Sequence, residues 1–115
     1  MNYKIREIEL KNNQISRTRT IIEFEDESDA IVAEFLMADA ALLNYQVIKD
    51  VEAILAGEKE EIQSVGNRTK ITIRKSETII EDTFDDEYEL EAVCLDTKDF
   101  QALLKEWFQM RERHN

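Results

Sequence analysis

The chain contains no proline and only two glycines, Gly57 and Gly66. No Pro-, Gly- or Ser-rich linker interrupts it and no internal repeat is visible, so residues 1–115 read as one continuous domain. A single cysteine, Cys94, excludes an internal disulfide framework. The single histidine, His114, stands next to the last residue, a position expected to fray, whereas Ser-His-Asp or Cys-His catalysis needs a rigidly held imidazole. Walker loops, dinucleotide-binding glycine motifs and Cys/His metal spacings are all missing. The expectation is a protein that is not an enzyme and uses no cofactor. No apolar run approaches the roughly 20 residues of a membrane span, and the polar opening Met1-Asn2-Tyr3-Lys4 has no signal-peptide pattern. A reducing cytoplasm is the simplest location, with no membrane partner.

Positive charge is also scarce. Fifteen Lys and Arg stand against 26 Asp and Glu, a formal net charge of −11. Such a surface repels nucleic acid and anionic lipid and favours fast capture of a cationic partner. The balance is uneven: residues 1–20 hold Lys4, Arg6, Lys11, Arg17 and Arg19 against Glu7 and Glu9, a net of +3. These cations are expected to pair with acids across a sheet. A small phosphate-binding patch is the other reading.

What is present is enough for a core, with 43% hydrophobic residues. Residues 3–10 and 17–24 read as strands joined by the turn-forming Lys11-Asn12-Asn13-Gln14. Residues 31–37 fit a buried strand or the start of a helix. The strand is the expectation adopted, with Asp39 capping the next element. Over residues 40–56, Leu43, Val47, Val51, Ile54 and Leu55 recur at helical steps, and Gly57 sits where a C′ glycine belongs. Residues 69–75, 77–84 and 88–95 form a meander. A two-residue turn at Lys75-Ser76 sets Ile71 opposite Ile80, Lys70 opposite Glu81 and Arg74 opposite Glu77. A three-residue loop at 85–87 sets Phe84 opposite Tyr88 and Glu81 opposite Glu91. Cys94, alternating with Leu90 and Ala92, then faces the core. Residues 98–112 form a helix with Thr97 as N-cap and an apolar stripe of Phe100, Leu103, Leu104, Trp107 and Phe108. The expected fold is α+β: an antiparallel sheet of about five or six strands with two longer helices packed on one face.

Between Glu81 and Glu91, seven of eleven residues are acidic: Glu81, Asp82, Asp85, Asp86, Glu87, Glu89 and Glu91. Phe84, Tyr88 and Leu90 interleave them, which indicates a charged face on a folded sheet. A second group, Glu25, Asp26, Glu27 and Asp29, follows the second strand. Three readings apply. The carboxylates can form a solvated face that maintains solubility and blunts strand edges. They can dock a basic protein. They can bind calcium, although Asp82, Asp85 and Glu87 lack the glycine and ligand spacing of an EF-hand loop. All eleven residues are candidate partner-binding positions, the first seven ahead of the other four.

From residue 40 to 112 the cadence is a helix ending Ile54-Leu55-Ala56-Gly57, then Val65-Gly66-Asn67, the strand Thr69–Arg74 and the acidic hairpin through Phe84-Asp85-Asp86. It closes with Cys94-Leu95-Asp96-Thr97-Lys98-Asp99-Phe100 and Leu103-Leu104-Lys105-Glu106-Trp107. This resembles small bacterial immunity proteins of the contact-dependent growth inhibition, or polymorphic toxin, type. The resemblance implies a cytoplasmic protein that binds and neutralises a cognate toxin domain. Many such toxins are nucleases with basic clefts, which carboxylates can occupy in place of phosphates. The alternative is a non-enzymatic adaptor or regulatory domain, a homodimer in one version, that meets its partner through an apolar helix face.

Overall fold

Alternating β-branched and charged residues build the first element, a hairpin of β1 (Tyr3–Asn12) and β2 (Ile15–Phe24), paired from Tyr3↔Phe24 to Asn12↔Ile15. The computed structural model describes residues 2–12, 15–40, 46–84 and 89–112. One face of the hairpin base carries Tyr3, Ile5, Ile22 and Phe24, which pack on the core. The Tyr3 and Phe24 rings lie 5.7 Å apart. The hairpin is a sheet of its own, separate from the four strands that follow, so the expected single sheet is two.

After β2, the Asp26 carboxylate accepts the Ser28 N–H at 2.9 Å and starts a 3-10 turn, Glu27–Asp29. That turn leads into helix α1 (Ala30–Glu34), which continues as a π-helical turn, Phe35–Asp39, closed by the Ala40 N–H donating to the Phe35 carbonyl at 2.8 Å. Residues 31–37 are therefore helical, not a strand. The buried residues Ile31, Val32, Phe35, Leu36, Asp39 and Ala40 recur at helical spacing, whereas a strand would bury alternate positions. Helix α2 (Gln46–Leu55) buries Val47, Val51 and Ile54. The expected start of this helix and Leu43 lie outside the described residues. Gly57, at φ 80°, ends α2. Its N–H donates to the Ile54 carbonyl and the Glu58 N–H to that of Ala53, which places the glycine in the left-handed C′ position of a Schellman motif.

Four strands follow: β3 (Glu61–Val65), β4 (Thr69–Arg74), β5 (Glu77–Asp82) and β6 (Val93–Asp96), each antiparallel to the next. β3 is an addition to the expected meander. The β4–β5 register is as expected, with Ile71↔Ile80 and Lys70↔Glu81, and the Arg74 side chain reaches Glu77 at 3.0 Å. The β5–β6 register is not. Ile80 pairs with Val93 and Ile79 with Cys94, one residue out from the expected alignment, and β6 begins only at Val93. A slip of one residue exchanges the two faces of a strand. Leu95 is therefore buried, Cys94 is exposed on the solvent face, and no row joins Lys70, Glu81 and Glu91.

Helix α3 (Thr97–Glu112) is capped by Asp96, not Thr97: Asp96 Oδ1 accepts the N–H groups of Lys98 and Asp99 at 2.9 and 3.1 Å. The Thr97 hydroxyl lies inside, bonded to the Arg74 carbonyl and 3.0 Å from the Thr78 hydroxyl. Phe100, Leu103, Leu104, Trp107 and Phe108 are all buried against the sheet face formed by Ile71, Ile73, Ile80 and Leu95. Each such side chain contributes about 1.5–3 kcal/mol as an upper bound, against which stands the conformational entropy lost in ordering the helix.

Candidate partner-binding cleft

Where β1 begins, β2 ends and α3 starts, the surface opens into a cleft of about 1150 Å³. Its rim and floor include Asn2, Tyr3, Val93, Cys94, Phe100 and Leu103 together with Glu25, Asp26, Glu27, Asp29, Asp96 and Asp99. Six carboxylates thus line one opening, and no lysine, arginine or histidine is among its described lining residues. No ion pair formed by the described residues involves any of the six.

Local structure explains how charges of one sign are held together. Asp96 caps α3 and Asp99 lies in its first turn, where the positive end of the helix dipole offsets their charge. Asp26 Oδ1 accepts from both the N–H and the hydroxyl of Ser28, which lowers its pKa. Glu25 Oε2 accepts from the Asn2 amide at 3.1 Å, and the Glu25 N–H donates to the Asn2 carbonyl at 2.9 Å, closing the hairpin base. Tyr3 fixes the adjacent wall by donating its hydroxyl to Glu106 on α3. Burial and that carboxylate push its phenol up to about 12.

The structure brings together the second acidic group, with Asp96 and Asp99, and leaves the first group elsewhere. Glu81, Glu89 and Glu91 are exposed but do not line the cleft, while Asp85, Asp86 and Glu87 lie outside the described residues. Asp82 turns inward. Its side chain is 0% exposed and bonds Arg68 at 3.2 Å, the Phe84 N–H at 2.9 Å and the Leu90 N–H at 2.8 Å. Burial raises its pKa, but the two N–H groups and the guanidinium outweigh that effect and hold it below the usual carboxylate value. Asp82 therefore serves as an internal tie. Arg68 also lies 4.6 Å from the centre of the Phe84 ring, which fixes the start of the acidic segment.

Asp39 is a further internal anchor. Fully buried, it accepts the N–H groups of Asn67, Arg68 and Thr69 at 3.0, 3.1 and 2.8 Å and the Thr69 hydroxyl at 2.6 Å. It caps the β3–β4 turn, not a following helix. A Cβ at Gly66 would stand 2.5 Å from Asp39 Cγ, so only glycine fits there.

Chemically the cleft offers negative charge and acceptors. Cys94 is its one thiol. Burial first, then the Glu77 carboxylate 3.4 Å away, raise its pKa against the opposing effect of Arg74, which makes it a poor nucleophile at neutral pH. Among the described residues no three His, Cys, Asp or Glu side chains are grouped to hold a metal ion. No described helix is long and apolar enough to cross a membrane. Asp99 suits a helix start by sequence alone, but nothing local in the sequence links Asp96 or Asp99 to residues 25–29. Comparison with family models, curated proteins and solved structures finds no match.

Proposed function

We propose that this chain is a non-catalytic inhibitor that acts in the cytoplasm by taking a cationic segment of a protein partner into the acidic cleft, as an immunity protein does with a toxin domain. One observation carries this reading: six carboxylates line a common opening and none is paired with a cation among the described residues. A merely solvated acidic surface has no need to converge on a concavity. An open, largely polar cleft of this size suits a polypeptide segment better than a small apolar ligand. Nuclease domains with basic substrate clefts are the partner class whose charge is complementary.

The test uses basic nuclease domains, including any encoded beside this reading frame, with the association rate and the inhibition of cleavage as readouts. Glu25→Lys, Glu27→Lys and Asp29→Lys together, which leave the Asp26 cap in place, should slow association by about tenfold or more at low salt and leave the circular dichroism unchanged. Reversing Asp85, Asp86 and Glu87 tests the other acidic segment separately. A complex insensitive to the first reversal would remove the cleft as the contact, and one lost only on the second would move the site to residues 85–87.

A further inference from the structure

The hairpin projects beyond what supports it. Residues 9–12 and 15–19 are exposed without exception, on both faces of the ribbon. A two-stranded ribbon with nothing beneath it is marginal in water. The register sorts this outer half in a definite way: Leu10 lies opposite Arg17, Ile8 opposite Arg19, and Asn12 opposite Ile15, all on the face turned from the core. Leu10 is 47% and Ile15 62% exposed. Arg17 and Arg19 join no ion pair among the described residues, contrary to the expectation that the N-terminal cations would pair across the sheet. Arg6 does so, with Glu23, and Lys11 reaches Glu9 at 3.9 Å. Charged residues alone would protect a strand edge; here Leu10 and Ile15 stand exposed beside Arg17 on the same face.

We propose that a second copy of this chain covers the arm, the cationic tip of each hairpin entering the acidic cleft of the other in a two-fold exchange. Charge favours this occupant: the tip is basic, the cleft is acidic, and the rest of a molecule at −11 repels nucleic acid. Placement favours it as well. The cleft is lined by Asn2, Tyr3 and Glu25, which close the open end of the same hairpin. Each molecule therefore carries a receptor at the root of its arm and a ligand at the tip. Ten-residue strands extend roughly 30 Å at about 3.4 Å per residue. Two arms laid antiparallel bring each tip to the other's root, and a two-fold axis satisfies both sites at once. Leu10 and Ile15 would then leave water, with half-buried Val93 among the apolar lining they meet. Because this rests on the cleft being a receptor for cationic polypeptide, it adds that the resting occupant is the chain's own arm, which a foreign partner displaces.

Sedimentation equilibrium of the purified chain tests it. A dimer is expected at about 50 mM salt, weakened at least about tenfold at about 500 mM. R17E/R19E and E25K/E27K should each be monomeric, with unchanged circular dichroism. Mixed together they should recover a weaker dimer, since R17E/R19E keeps the acidic cleft and E25K/E27K keeps the cationic arm, which restores one of the two arm–cleft contacts. R17E/R19E should still bind a basic nuclease domain, which separates this inference from the functional reading. A wild-type monomer at about 100 µM in low salt, meaning a Kd weaker than about −5.5 kcal/mol of contact would give, would overturn self-exchange even if the nuclease binds. So would a dimer indifferent to both reversals, or an arm that instead retains single-stranded RNA.

Discussion

Replacing Asp39 by Ala should destabilise the fold by about 3–5 kcal/mol. The carboxylate is fully buried and accepts four hydrogen bonds, all from the β3–β4 turn. In the variant the Asn67 and Arg68 N–H groups, only partly buried, can turn to water. The Thr69 N–H and hydroxyl are buried and cannot, and each stranded donor costs about 1–3 kcal/mol. The lost volume adds to this. The total is a large part of the 5–15 kcal/mol typical of a domain. Trp107, the only tryptophan and 1% exposed, reports unfolding by fluorescence. With a urea dependence near the lower end of ~1–3 kcal/mol per M, the midpoint should fall by about 2–4 M. Gly66→Ala supplies an independent check. Its Cβ meets Asp39 Cγ and Oδ2 at 2.5 and 2.7 Å, contacts that vanish when residue 39 is Ala, while the Cβ–Cβ approach of 2.9 Å remains. The two substitutions should therefore be non-additive by about 1 kcal/mol or more, Gly66→Ala costing less in the Asp39→Ala background. A loss below about 1 kcal/mol for Asp39→Ala, or strict additivity, would refute the anchoring role.

Two further outcomes follow from the ionisable groups. The depressed folded pKa of Asp82 means that its contribution to stability is present above the unfolded carboxylate value, near 4, and is lost as pH falls through the lower folded value. Asp82→Asn should lower stability at neutral pH and flatten the acid limb of a stability–pH curve, and parallel limbs for the two proteins would contradict the tie. Glu77→Gln should lower the Cys94 pKa and speed its alkylation by iodoacetamide severalfold at mildly alkaline pH, since it removes the raising charge and leaves the opposing Arg74. An unchanged rate would leave burial as the sole cause.

Short-range chemistry was legible in the sequence. The stripe of α3, the Gly57 stop and the β4–β5 register all depend on residues close together in the chain, and each stands as expected. Residues 31–37 were not legible, because a short apolar run has no period and only the positions buried on both sides of it reveal a helix. The β5–β6 register failed for a related reason. The connecting segment is tied by the Asp82 side chain to the Phe84 and Leu90 N–H groups, a closure that turn propensities do not encode. The resulting one-residue offset reversed the facing of Cys94 and dispersed the expected acidic row. The cleft itself was only half legible: residues 25–29 stood out by composition, whereas Asp96 and Asp99 join them only after the chain has folded through some seventy residues.

Asp82 also determines how β5 and β6 are joined. A single side chain clasps both ends of the segment between Phe84 and Leu90, so the strands register against the clasp and not against what it encloses. Removing that one carboxylate should free both ends together and loosen β5 from β6 as a unit.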